Sequence, residues 1–373
     1  MSQETMQFLN ARNILVGCGE IPWWYDEKIV TALIASGEIE SSPLFDGPVP
    51  IEEARQLFSE VITGYVTAAL KEVDANEAML FLGDGTPYPY RVVISEEHKL
   101  VGPEGRDVFF ECFKRGYDTE NHQFADVLLE ATAAIIGGDV QLKTAGKLRD
   151  GAVAFTTVGV PETFTTPEGV EFRSNLTAAS SFNGKIATQW GRHNNLTVCD
   201  NTMDANLRSA ADAGQLVKVK HTANSFLRIK DAREALCLIE SGAEEFAQEL
   251  STLCQTPVSS AEWNGILNNL VPLPTDEAGK VLTTGRGYTM AANKRETLQE
   301  LLQGDDRVAP WAGSAFGVVQ AFNTYNQHEA IVRGPVHRAE RHYENVITGK
   351  VAERDRDVLK AISEVCEREL VLA

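Results

Sequence analysis

Two dipeptides, Asp150-Gly151 and Asn183-Gly184, constrain this chain more than any other feature. Each sits between runs rich in β-branched and aromatic residues, such as Val153, Phe155, Thr157 and Val158 after the first. A tight antiparallel turn needs positive φ at its central residues, and Asp-Gly and Asn-Gly adopt it at low cost. Residues 139–148, 152–160, 171–182 and 185–190 are therefore predicted to form a four-stranded antiparallel meander. Trp190–Asn195 reads as a polar loop leading to a short run at Leu196–Cys199.

The flanks carry helical periodicity. Asp26–Ser36 is predicted as a helix, and Ile51–Val73 as a long amphipathic one, because Ile51, Ala54, Leu57, Phe58, Val61, Ile62 and Tyr65 recur at three- and four-residue spacing. Ala78–Leu82 and Arg91–Ile94 read as strands, and Glu104–Arg115 and His122–Ile136 as helices. After the meander, Asn201–Ala213 is predicted helical and Leu216–His221 a strand with Lys218 and Lys220 on one face. Helices are expected over Phe226–Glu249, Glu296–Leu302, Gly313–Ala330, Val336–Ile347 and Arg354–Leu370, with a loop at Pro272–Thr284. The fold class is α+β: an antiparallel meander packed with helices, followed by a mostly helical part. The expected regions are an acidic N-terminal α/β region (1–138), the sheet with a helix and a basic segment (139–233), and a helical C-terminal region (234–373).

Charge divides the chain further. The 373 residues carry 53 acids against 34 bases, a formal charge of −19, which excludes an evenly basic coat for duplex DNA. Residues 1–140 hold 24 acids and 9 bases, whereas residues 185–233 hold 8 bases and 4 acids. That basic segment contains Lys185, Arg192, Lys218 and Lys220, with His193 and His221 beside them. Trp190-Gly191-Arg192-His193-Asn194-Asn195 offers an indole, a guanidinium, an imidazole and two amides in six residues. Base stacking on an aromatic ring plus cationic phosphate contact is the chemistry of single-strand binding. The plainer alternative is a polar loop around one buried Trp.

Other chemistry finds no footing. There is no GxxxxGK[ST] or GxSxG pattern, so no catalytic residue is assigned and no cofactor is expected. His193, Cys199 and His221 match no zinc spacing, and His337 and His342 stand five apart, off a common helical face, so no metal is expected. The six scattered cysteines read as reduced thiols. The N-terminus lacks a secretory pattern and no apolar run reaches membrane-spanning length, so the expected location is the cytoplasm, with no membrane partner.

Several motifs resemble those of the phage/plasmid-like protein family, the domain of unknown function 932. Val16-Gly17 with Pro22-Trp23 is similar to its opening "PWH" motif, and Ser181–Lys185, with Gly184, resembles its "SHDGS" turn. Val198–Met203, carrying Cys199, Asn201 and Thr202, resembles "VCxNTL"; Val219–Thr222, with His221, resembles "IRHT"; and Ala315–His328 resembles a helix ending in His. Trp24, Phe182, Asn183 and Gln320 depart from the family pattern, which argues against His-based chemistry. The resemblance implies a protein carried on phages, prophages or plasmids. By fold-level analogy, hairpins followed by a helix are similar to the core of phage annealing proteins, which assemble into homo-oligomers.

Three readings of function stay open: a DNA-metabolism protein binding single-stranded nucleic acid, an acidic protein that modulates a host or phage protein partner, and an enzyme without a recognisable motif. In the first, Lys185, Arg192, His193, Lys218, Lys220 and His221 would meet phosphate and Trp190 would stack. Convergence of Asn201, His221 and His328 would favour the third.

Overall fold

The meander is present, and it forms the centre of a larger mixed sheet. The structure is a computed structural model that describes residues 15–18, 27–37, 42–58, 61–64, 90–95, 109–114, 125–149, 152–181, 186, 188–197, 202–204, 217–219, 232–332, 338–368 and 370. Strands β1 (Leu15–Cys18), β2 (Leu44–Phe45), β6 (Gln141–Leu148), β7 (Val153–Gly159), β9 (Glu171–Ser181), β10 (Thr188–Leu196) and β11 (Thr202–Asp204) run in the order β11-β10-β9-β7-β6-β1-β2. Strand β8 (Phe164–Thr165) pairs with β9, and β12 (Val217–Val219) with β10. Only the β1–β2 pairing is parallel among the registers described; β6, β7, β9 and β10 are the meander expected from the two turn dipeptides.

The strand ends on either side of the two dipeptides are brought together, the dipeptides themselves lying outside the described residues. Leu148 pairs with Val153, and the Ala152 amide donates to the Arg149 carbonyl at 3.0 Å, which puts Asp150-Gly151 between the two ends of a four-residue turn. Arg149 itself takes positive φ, at 56°. Across the second turn the Ser181 hydroxyl donates to the Ile186 carbonyl at 2.8 Å and accepts from the Ile186 amide at 3.0 Å. Strand β7 is buried along its whole length, so its hydroxyls need internal partners. Thr156 meets Thr132 at 2.8 Å and Thr157 meets Thr177 at 2.7 Å.

Two compact units are distinguished by their internal contacts: residues 1–161, 175–192 and 214–239, and residues 162–174, 193–213 and 240–373. They cut across the three sequence regions, because the chain passes from one to the other within β9, β10 and helix α4 (Ala232–Gln255). In the first unit, helices α1 (Glu27–Ser36) and α2 (Ile51–Leu57) accompany β1, β2 and β6, and a π-helical turn (Ala125–Glu130) leads into α3 (Ala131–Ile135). A separate three-stranded antiparallel sheet joins β3 (Val61–Gly64), β4 (Tyr90–Ser95) and β5 (Phe109–Lys114).

The second unit adds α5 (Ser260–Leu270), α6 (Arg286–Gly304), α7 (Ala315–Thr324), α8 (Arg338–Ile347) and α9 (Lys350–Cys366). Its core gathers Phe172 and Leu196 from the sheet with Phe246, Leu250, Trp263, Ile266, Leu298, Phe316, Phe322 and Ile362 from the helices. Burial of this many large side chains, at about 25 cal/mol per Å² of apolar surface, is the main term holding the helices on the sheet. Ser259 starts α5 with a reciprocal capping box to Glu262.

Four expected elements differ. The Ile51–Val73 helix stops at Leu57, and Val61–Gly64 is a strand, because the β-branched run Val61-Ile62-Thr63 suits a pleated surface better than a helix. Within Glu104–Arg115, Phe109–Lys114 is a strand paired to β4, in keeping with the β preference of its aromatic run. Within Asn201–Ala213, Thr202–Asp204 pairs with His193–Asn195 as β11. The Trp190–Asn195 loop is instead the second half of β10. Ala78–Leu82 lies outside the described residues. Helix α5 had no counterpart in the sequence reading.

Candidate functional site

Strand β10 holds the described part of the basic segment. Thr188, Trp190, Asn194 and Leu196 are buried on alternating positions, the pattern of a strand with one face in a core. Trp190 is only 2% exposed, and its indole N–H has no partner among the described residues, so its ring is a core ring and not an open stacking platform. The Arg192 guanidinium donates one of its N–H groups to the Leu238 carbonyl of α4 at 3.4 Å, which ties this side chain to a helix. His193 is held down to about 4 by burial and by the neighbouring His342 of α8; burial alone takes His342 to about 4 as well. A neutral imidazole is a poor phosphate contact.

The lysines fare differently. Lys218 lies in β12 at the register position opposite Gln189, with Val217 opposite Trp190 and Val219 opposite Thr188. Strand β12 pairs with β10 alone among the described strands, so it lies at a sheet edge. Thr202 opens β11 opposite Asn195. Lys185, Lys220, His221, Pro22, Trp23, Gly184, Cys199 and Asn201 lie outside the described residues. The convergence of Asn201, His221 and His328 therefore falls outside them too.

His328 belongs to a feature that composition does not reveal. Every residue of α7 is buried, yet Gln320, Asn323, Thr324, Gln327 and His328 recur at i, i+3, i+4, i+7 and i+8, none more than 8% exposed. This spacing puts five polar side chains along one face of a helix inside the protein. The helix does not end at Thr324 but widens into a π-helical turn, Tyr325–Glu329, a device that often marks functional sites. Ser314 caps the start by accepting from the Gly317 amide at 3.1 Å. Gly317 is required there, because a Cβ would strike the Trp311 carbonyl group, with its carbon at 2.7 Å.

The loop before α7 meets this stripe. The Gln320 amide donates to the Arg307 carbonyl at 3.2 Å. The Arg307 guanidinium grips Asp305 at 2.8 and 2.6 Å and reaches Glu329 at 3.5 Å. Hydrogen bonding from Arg307 holds the Asp305 carboxyl below its ordinary range, and the charge of His328 adds to this. Arg338 caps the far end, donating to the Ala330 carbonyl at 3.0 Å and the Gln327 carbonyl at 3.4 Å. The Asn323 side-chain N–H₂ has no partner among the described residues. A donor left so in a closed interior is costly, which makes it a place for water or a polar ligand atom.

A second set of buried polar groups lies between the sheet and α4 in the same unit. Ring contact between Phe172 and Phe246, at 5.0 Å, fixes α4 on this face. Glu249, fully buried, follows Phe246 on the same helical stripe. Two contacts, Thr197 N–H to the Glu171 carbonyl and Ser180 to Thr188, share one register, which sets Ser174 opposite Asn194. The Ser174 hydroxyl and both polar atoms of the Asn194 amide are buried and unpartnered among the described residues. The sequence carried one signal for both sets: polar residues at core-facing positions of otherwise apolar periodic segments.

Chemically these sites can bind and orient polar groups. Among the described residues no group of three or more His, Cys, Asp or Glu side chains could hold a metal ion, and no helix is long and apolar enough to cross a membrane. Cys18, Cys237, Cys254 and Cys366 form no disulfide among the described residues.

The fold defines an α+β protein with an antiparallel meander and, in its second unit, a buried helix bearing a polar stripe. Residues 115–347 match the family described as Domain of unknown function (DUF932), which covers the meander, the basic segment and the α7 stripe. The chain belongs to that family. No curated protein and no solved structure matches the chain.

Proposed function

We propose that this chain is a phage- or plasmid-type protein of DNA metabolism that binds single-stranded nucleic acid through its basic segment. The observation that carries this reading is the reversal of charge at 185–233, 8 bases against 4 acids in a chain of net charge −19. The edge position of β12 supports it, since Lys218 belongs to a strand with no neighbour on its far side among the described residues. With Trp190, Arg192 and His193 serving the fold, phosphate contact rests on Lys185, Lys218, Lys220 and His221. A narrow cationic strip on an acidic body binds without reading sequence and is strongly salt-dependent. In this reading the protein works in the cytoplasm as a homo-oligomer, and the assembly aligns strips from successive copies.

Fluorescence anisotropy with a labelled single-stranded oligonucleotide tests it. Binding at 50 mM salt should weaken by at least about tenfold at 200 mM, and Lys218→Glu with Lys220→Glu should remove it. Trp190→Phe should leave affinity within about twofold, because the ring is covered. Salt-independent binding, or binding untouched by the double charge reversal, sinks the reading. Absence of binding would turn attention to the 24 acids of residues 1–140 and a basic protein partner.

A further inference from the structure

Five large apolar side chains are exposed among the described residues, and three of them, Val281, Leu282 and Met290, fall within ten positions. They are 41%, 42% and 56% exposed. A single exposed apolar residue is ordinary, whereas a cluster marks a surface that another surface covers. Hydrogen bonds hold this cluster in place. Residues 274–282 close a hairpin tongue, in which Thr275 bridges to Val281 and the Leu282 amide donates to the Pro274 carbonyl at 2.8 Å. At its tip the Asp276 carboxylate accepts from the Ala278 amide at 3.0 Å and the Lys280 amide at 2.8 Å. Pro274 in turn lies against Gly287 of α6, where a Cβ would stand 3.9 Å from the proline ring. Met290 follows Gly287 by one turn on the same helix face, so the three apolar residues share one area.

The charge here is the reverse of the chain's. Residues 278–295 hold four bases and no acid, in a chain of 53 acids and 34 bases. Two of the four are engaged within the unit: Arg295 donates to the Val271 and Leu267 carbonyls at 2.8 and 3.0 Å, and Lys294 stands over the Tyr325 ring at 5.0 Å. Lys280 and Arg286 are exposed and form no ion pair among the described residues. Glu277, the other acid of the tip, is also exposed. Arg286 opens α6, whose cap Gly285 offers no side-chain acceptor and whose first turn has no acid. A helix start favours anions, so carboxylates suit this surface twice over.

The complement is on the chain itself. Residues 1–140 hold 24 acids against 9 bases, and Ile34, another of the five exposed apolar side chains, lies there on α1 with exposed Glu27 in its first turn. Two copies of net charge −19 repel overall, so a stable contact requires a local pairing of opposite charge such as this.

We propose that the tongue and the start of α6 form the docking surface for the acidic N-terminal region of a second copy of this chain. Lys280 and Arg286 pair with its carboxylates, and Val281, Leu282 and Met290 cover its apolar side chains. One surface meets a different one, so the contact is head-to-tail and each added copy presents a further tongue. The contact rests on the homo-oligomer of the preceding reading but not on nucleic-acid binding, which anisotropy tests separately.

Sedimentation velocity of the full chain, from about 1 to 100 µM, should show concentration-dependent association. Lys280→Glu with Arg286→Glu should weaken it by at least about tenfold, and so should Leu282→Ser with Met290→Ser. These positions are exposed, so both variants should melt within about 3 °C of the parent. Carbodiimide cross-linking of mixed unlabelled and ¹⁵N-labelled copies identifies the other side: peptides of mixed label should join Lys280 to carboxylates within residues 1–140. A monomer at every concentration overturns the contact, as do mixed-label links from Lys280 that avoid residues 1–140. Association unchanged in both variants also overturns it, while leaving a homo-oligomer built through another surface.

Discussion

Lowering the pH should unfold this protein through two imidazoles. His193 on β10 and His342 on α8 are both held at about 4, against an ordinary value of 6.5. In the unfolded chain each takes its proton near 6.5, and in the folded chain only near 4. Between these values the unfolded state binds more protons, so stability is full above pH 6.5 and falls as the pH drops toward 4. A shift of this size corresponds to about 3 kcal/mol for one fully enclosed imidazole. Both residues keep some exposed surface and their repulsion is shared, so about 3 kcal/mol is the expectation for the pair. Urea midpoints at pH 7.5, 6.0, 5.0 and 4.5 measure it, with His193→Gln/His342→Gln as the reference. The parent should lose about 3 kcal/mol more than the double variant between the highest and lowest pH. Equal losses would refute the placement of two neutral imidazoles, and so would Cε1–H resonances titrating near 6.5.

Three further outcomes follow from single side chains. Gly317→Ala places a methyl against the Trp311 carbonyl at the start of α7 and should cost about 2–4 kcal/mol, read as a fall in urea midpoint at unchanged slope. Ser259→Ala removes the cap of α5 and should cost about 1 kcal/mol by thermal melting, with Ser259→Thr restoring most of it. At pH 8 a maleimide should label exposed Cys237 in the native protein and spare Cys254, whose thiol is pushed up to about 12 first by burial and then by Glu168; mass spectrometry of the labelled peptides decides it.

The meander was legible because its information is local. Asp150-Gly151 and Asn183-Gly184 mark turns, and the strands on either side of each turn are long enough to be read by composition alone. Elements whose identity depends on a distant partner were not. Phe109–Lys114 scores as well on a helix as on a strand until β4 is beside it, and Thr202–Asp204 is a strand only because His193–Asn195 offers an edge. The roles of Trp190 and Arg192 were obscured for the same reason: an aromatic and a guanidinium in sequence carry no sign of whether they point to solvent or to a neighbouring helix. Gln320 and His328 were noticed as motif positions, but their membership of a five-residue polar stripe needed the burial of the whole of α7 to give it meaning.

The π-helical turn at Tyr325–Glu329 has a consequence for how this helix tolerates length change. A π-turn holds one residue more than the α-turn it replaces, so it behaves as an absorbed insertion. Removing one residue from 325–329 would let the turn close as an ordinary α-turn, with the backbone intact and the preceding stripe unmoved. Everything after it would keep its place around the helix axis, because the residue lost is the extra one that the turn had absorbed. The row from Gln320 to Thr324 would be unmoved, and the Ala330 carbonyl would stay within reach of Arg338. One codon can thus be lost at this turn without cost to the register, whereas the same loss within Ala315–Thr324 would rotate all that follows by about 100° around the axis.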